Sequence, residues 1–226
     1  MKLRGFFTAK NIAYLAVLLA LVIVLQVFAS AIPLGGGATL NFSLIPIVLG
    51  AILLGVWGGA FLGLACGIVV LIQVIVMTGN PFYVAIWTNS PVVTTFTCIV
   101  KTTAAGMISG LLYQIISKKN KFVAVFVAAA IVPIVNTGLF IVGCLCMTGT
   151  IADLGGVAGI DVLVFILVAL VSFNFFIELA INLVLSPAIH RVVLVVEKQL
   201  GKKKKKTISE EQSLTEEEQA PQTDEI

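Results

Sequence analysis

Two ionisable side chains sit inside otherwise apolar runs of this chain: Lys101 in "PVVTTFTCIVKTTAAG" and Glu178 in "FNFFIELAIN". An ammonium or carboxylate in hydrocarbon is expensive, and it is kept where it meets a counter-charge, carbonyls, water or a ligand. Lys101 suits an anion. Asn174 and Asn182 stand one turn either side of Glu178 on the same helix face. A further amide, Asn136, lies in "IVPIVNTGLFIVG" with Pro133 and Gly138. Proline removes a backbone donor and clashes with the carbonyl four residues earlier, here that of Ala129; Gly138 leaves room for close packing. Such a break at membrane depth is tolerable only against protein or a wet cavity. Lys101, Asn136 and Glu178 therefore each read as a ligand contact or as a group bonded to a neighbouring helix. The depths of Lys101 and Glu178 along their helices argue against a direct pair.

Other chemistry has no carrier in the sequence. The phosphate-cradling G-x-x-x-x-G-K-[ST] loop is missing, as are H-E-x-x-H and G-x-S-x-G. His190, beside Arg191 at a helix end, reads as interfacial. Cys66, Cys98, Cys144 and Cys146 all lie in apolar runs, and Cys-x-Cys is not zinc spacing, so they read as small hydrophobes. The expectation is no metal, no cofactor on this chain and no catalytic nucleophile.

The elements that must hold these groups follow from composition. The chain of 226 residues is 59% hydrophobic and 11% charged, with a mean hydropathy of +1.13. Soluble domains are about a quarter charged. The apolar runs are continuous rather than alternating, which selects transmembrane helices over a barrel. Six spans are expected, near residues 12–32, 42–56, 60–77, 92–116, 122–147 and 162–187. The first reads as a retained helix, since no cleavage pattern follows it. "GVWGGA", Gly55–Ala60, is expected to be the turn between the second and third spans. "PLGGGATLN", residues 78–91 and residues 148–161 are expected as outer loops.

Lysine and arginine cluster at residues 2–10, 118–121 and 191–206. With six crossings all three fall on one side, and the positive-inside rule makes that side cytoplasmic, with both termini there. The fold class is thus an all-α membrane protein, a six-helix bundle over residues 1–197. Residues 198–226, "KKKKK" followed by an acidic stretch, are expected to form a charged cytoplasmic tail without ordered structure. The lysine run abuts a membrane helix and reads as a headgroup anchor, not a nucleic-acid site.

Small residues recur at fixed spacing. Gly55, Gly59, Gly63 and Gly67 form a ridge, and Gly106 and Gly110 repeat it on the fourth span; internal packing is their simplest use. Ala9, Ala13, Ala16 and Ala20 give a flat stripe on the first helix on which another helix can dock.

Together, "LNFSLIPIVLGAILLGVWGGAFLGLACG", "IVPIVNTGLFIVG", "FFIELAINLVLSPAI" and the alanine stripe resemble the substrate-binding S components of energy-coupling factor (ECF) vitamin transporters, over about residues 8 to 195. The resemblance implies a pocket near the outer face that binds a water-soluble vitamin or precursor. The loop after the first helix would close over it. The subunit would topple while docked through the Ala16/Ala20 stripe on a scaffold subunit, with two ATPases using the ATP. It further implies a multi-pass protein of a bacterial plasma membrane. Lys101, Asn136, Asn174 and Glu178, with Asn41 and Trp87, are the candidate substrate contacts. Phe82, Tyr83 and Trp87 would stack on a ring or mark the membrane interface. Pantothenate, folate and riboflavin are not separated by any residue pattern. The competing class is a stand-alone facilitator or small intramembrane enzyme, for which the sequence offers only Lys101 and Glu178.

Overall fold

The computed structural model describes residues 8–30, 41–157 and 159–218. Among these the secondary structure is helical, without a strand. Five helical segments are long and apolar enough to cross a membrane: Asn11–Ala29, Gly55–Val76, Pro91–Ile116, Lys121–Leu145 and Ile160–Val196. Their outward faces carry large apolar side chains such as Val24, Phe61, Ile72, Val92 and Phe96, as a bundle solvated by lipid requires. In such a solvent the backbone must bond to itself, and the helix is the local way to do so.

In chain order the elements are α1 (Ala9–Ser30), α2 (Leu44–Leu53), α3 (Gly55–Val76), α4 (Pro81–Asn89), α5 (Pro91–Ile116), α6 (Lys121–Leu145), α7 (Thr148–Gly155), α8 (Ile160–Val164), a π-helical stretch (Phe165–Ser172) and α9 (Phe173–Glu218). Starts and stops follow local chemistry. The Asn80 side chain accepts from the N–H groups of Phe82 and Tyr83, with Pro81 at the first helical position of α4. Asn120 does the same for Phe122 and Val123 at the head of α6. Gly156, at φ 61°, ends α7 in the left-handed region.

α3 and α5 are antiparallel and meet backbone to backbone. A methyl group added to Gly59 would run into the carbonyl oxygen of Gly106, one on Gly63 into that of Thr102, and one on Gly67 into that of Cys98. One on Gly110 would meet the backbone of Val56. Each step of four along α3 is matched by a step of four back along α5, so the glycine ridges are a packing seam. The seam also fixes polarity. The α2–α3 turn lies at the same end of the bundle as the Lys118–Lys121 connection, and α4 lies at the other.

A buried polar cluster ties α1 and α2 to α3. The Gln26 amide donates to Gln73 Oε1 at 3.1 Å, Gln73 donates back to the Gln26 carbonyl at 3.3 Å, and the Ser43 hydroxyl donates to Gln26 Oε1 at 2.8 Å. Ser43 Oγ also lies 3.0 Å from Cys66 Sγ, halfway along α3. The ten residues of α2 therefore start at mid-depth and run to the turn, spanning about 15 Å at 1.5 Å per residue. That is too short to cross alone, so the second expected span is a half-membrane helix.

Several other expectations are corrected. The turn after α2 is confined to Leu54 and Gly55, where Gly55 takes φ 76°; Gly58 and Gly59 are already helical, because close packing rather than turning is what uses them. The segment 78–91 contains α4, and 148–161 contains α7 and the start of α8. Gly138 has nothing within 4 Å of where a Cβ would stand. Among the described residues nothing packs closely there; a close approach on α6 is at Gly143, against Thr97.

The chain divides into two compact units, Met1–Ile189 and His190–Ile226. The helix that starts at Phe173 runs to Glu218. Lysine, glutamate and glutamine are good helix formers, and a helix already under way needs no new nucleus. Residues 219–226, the loop over 31–40 and the basic residues Lys2 and Arg4 lie outside the described residues.

Candidate functional site

One cavity occupies the half of the first unit remote from Lys118–Lys121. About 740 Å³ of space free of atoms lies in and before it, the open solvent at its mouth included. α5 and α6 form two walls, α4 lies across one end, and Asn41, Val70 and Val74 of α3, Met147, the π-helical stretch and the start of α9 supply the remainder. The Thr94 hydroxyl donates to the Ile86 carbonyl at 2.8 Å, and Ser90 and Thr150 hydroxyls meet at 3.3 Å, so α4 and α7 are fastened over the bundle end.

Five of the six candidate contacts line this cavity: Asn41, Lys101, Asn136, Asn174 and Glu178. They arrive from α5, α6, α9 and the turn before α2, which no local sequence pattern joins. Trp87 is not among the lining residues; Phe82, Tyr83 and Ile86 are. The reason is helical phase. Residues 82, 83 and 86 share one face of α4, and position 87 falls on its flank.

Lys101 is 8% exposed, and its Nζ stands 5.0 Å from the centre of the Phe140 ring. That cation–π contact is its sole contact of a polar kind among the described residues. Glu178 is 3% exposed, and its Oε1 accepts the backbone N–H of Asn41 at 2.8 Å. Asn41 to Ser43 is non-helical backbone at mid-depth, and the carboxylate satisfies a donor that lipid would leave orphaned. The role of Asn41 is thus carried at least partly by its main chain, which residue type alone cannot reveal. Among the described residues Lys101 and Glu178 form no ion pair, although both line this cavity.

The amides divide. Asn136 Oδ1 and Asn174 Oδ1 are buried without a hydrogen-bond partner. Asn182 is not among the lining residues; its amide donates to the Glu178 carbonyl at 2.8 Å, a local helix contact, and its Oδ1 is likewise buried without a partner. α6 continues as helix through Pro133. Beside it the Ser109 hydroxyl donates to the Ala128 carbonyl at 2.9 Å, one residue before the carbonyl that proline deprives.

The π-helical stretch was not foreseen. Its wider turn is seen in the Ser172 hydroxyl donating to the Leu167 carbonyl, five residues back, at 2.6 Å. It contributes Leu170 and Val171 to the cavity wall and sets the phase of α9, so that Asn174 and Glu178 follow on the same face. α4 had a legible signal that went unused: an asparagine cap followed by proline at Asn80–Pro81, then a serine–proline pair at Ser90–Pro91. Cys98 and Cys144 are buried lining residues, while Cys146 is exposed.

On α1, Leu18, Val22, Gln26 and Ala29 are buried. Ala13, Ala16 and Ala20 lie on the opposite, exposed side. The side chain of Ala9 lies outside the described residues.

The model of one protein family, the ECF transporter substrate-specific component, matches residues 10–190. No curated protein matches the chain.

Proposed function

The chain belongs to the substrate-specific components of ECF transporters, and from that premise we propose that it captures a water-soluble vitamin or vitamin precursor, pantothenate-, folate- or riboflavin-like, in the cavity around Lys101. The observation that carries the reading is the convergence of Lys101, Glu178 and the amides Asn136 and Asn174 on one hollow inside an apolar bundle. Hydrocarbon penalises each of them, and a bound polar solute offsets the cost. Lys101 and Glu178 do not pair, and the family is a transporter family rather than an enzyme family, so the groups serve binding.

The topology we propose has six segments, five full crossings plus the half-membrane α2 with the chain leading into it, and both termini in the cytoplasm. The lysines at 118–121 then lie inside and the cavity opens outward. The exposed side of α1 around Ala13, Ala16 and Ala20 docks on the scaffold subunit. Two partner ATPases use ATP, this chain binds no cofactor, and the docked subunit topples to release its load. The setting is a bacterial plasma membrane.

The test is native mass spectrometry of the chain purified in mild detergent, followed by uptake into liposomes. The expected result is one retained small molecule without ATP, co-purification with a scaffold and two ATPases, and no uptake by liposomes holding this chain alone. Uptake by the lone chain would replace this reading with a facilitator. Ala16→Trp is expected to leave ligand affinity within about twofold while removing co-purification of the scaffold, since an indole on a flat helix stripe blocks close helix approach.

A further inference from the structure

Two hydroxyls of the cavity wall behave unlike the others in the crossing helices, and the role proposed for them rests on the binding reading above. In a membrane helix a serine or threonine hydroxyl has no water to meet, and it ordinarily bonds a carbonyl about one turn back. Thr95, Thr102, Thr103, Ser172 and Ser186 do this. Thr94 and Ser109 donate instead to carbonyls of neighbouring helices, those of Ile86 and Ala128. Thr97 and Thr137 are the exceptions among the described residues of these helices, since neither hydroxyl donates to a protein group. Both residues line the cavity, both are only part-buried, and neither hydroxyl oxygen is shut away from accessible space. Lining alone does not free a hydroxyl, because Thr94 lines the same cavity and is bonded.

The two hydroxyls stand at different depths. A methyl group at Gly143 would run into the Thr97 side chain, so Thr97 and Gly143 share one level of the α5–α6 pair. Thr137 comes six residues before Gly143 on α6, about 9 Å away along the axis at 1.5 Å per residue. Phe140 lies midway, and the Lys101 ammonium stands 5.0 Å from its ring centre. Thr97, the ammonium and Thr137 thus make one file along the cavity wall. We propose that Thr97 and Thr137 are specificity-determining residues that hydrogen-bond the ligand on either side of the anionic group held at Lys101. The class of ligand this selects is a small organic anion with carbonyl or hydroxyl oxygens spread over roughly 9 Å, lying along the α5–α6 wall. A carboxylate on a purely hydrocarbon or aromatic body expels water from both hydroxyls and gives them nothing in return, so it is bound more weakly.

The test uses the compound retained on purification or, failing that, whichever of pantothenate, folate and riboflavin stabilises the full chain in detergent. Its affinity is measured on the parent chain and on Thr97→Val and Thr137→Val, which keep the branched shape and remove only the hydroxyl. Each is expected to weaken binding about three- to tenfold, the range of one neutral hydrogen bond. Each should melt no lower than the parent without ligand, because no protein contact of the hydroxyl is lost. Thr97→Ser and Thr137→Ser retain the hydroxyl and should bind within about twofold of the parent. Thr95→Val, which removes a hydroxyl bonded to the Pro91 carbonyl outside the cavity lining, should leave affinity unchanged. Parent affinity in either cavity valine variant overturns the proposal and leaves the transport reading standing. So does a loss that comes with a lower melting temperature and is not restored by serine, since the hydroxyl is then structural. If nothing is retained and none of the three vitamins binds, the transport reading itself fails, and the role of these hydroxyls with it.

Discussion

The seam between α3 and α5 and the cavity between α5, α6 and α9 share one helix, yet they treat space and polarity in opposite ways. Along the seam, glycines let carbonyls and α-carbons touch, and no room remains for a methyl group at Gly59, Gly63 or Gly106. The neighbouring Gln26–Ser43–Gln73 cluster is equally closed, each amide meeting a protein partner. Around the cavity the same chain leaves a hollow lined by Lys101, Asn136, Asn174 and Glu178, and Asn136 and Asn174 keep buried oxygens without partners. Both regions are built in an apolar environment where an unmade hydrogen bond is costly. The difference is one of space: the seam and its polar cluster are closed, while the cavity keeps polar side chains around a hollow.

Substitutions can break that contrast or sharpen it. The largest effect is expected at the seam. Gly106→Leu forces a branched side chain against the Gly59 carbonyl and Ile47, costing more than the ~1–3 kcal/mol typical of overpacking because backbone cannot repack; loss of the monodisperse peak on size exclusion checks it. Next comes Lys101→Met. Losing a charge-assisted contact of about 2 kcal/mol weakens ligand about 30-fold, with the melting temperature of the free protein unchanged or raised. A large melting loss with unaltered affinity would move Lys101 to the structural side of the comparison. Gln26→Leu strands Gln73 and Ser43 and is expected to cost about 1–3 kcal/mol, read as a lower melting temperature in detergent, with ligand affinity changed far less than by Lys101→Met. The smallest effect is expected for Gly138→Ala. Open space receives the methyl group, and helix propensity favours alanine by up to about 1 kcal/mol, so a melting temperature equal to or slightly above the parent's checks it. The two glycine variants compare the same residue type in a filled and an open setting.

Much of the bundle was legible because lipid imposes simple rules. Long apolar runs must be helices, and their lengths and the basic clusters around them order the spans. Where the rules are local, the reading failed only when a cue was passed over, as at Asn80–Pro81. Glycine spacing announced close packing but not its target; that α3 packs on α5 is a property of the folded bundle. Asn136 and Gly138 occupy one short motif, yet Asn136 lines the cavity and Gly138 packs against nothing, a distinction no residue type encodes.

By itself the sequence determined an all-helical membrane-embedded chain and the small set of polar groups whose burial demands an explanation. A solvent that tolerates no stray polarity makes every exception conspicuous. Only the tertiary structure decided which exceptions meet. The shortness of α2, the carboxylate that receives the Asn41 main chain, the phase of α9 after its π-helical stretch, and the exclusion of Trp87 from the cavity all depend on where separate helices come to rest. Packing of shape on shape settles such things over distances that residue order does not record.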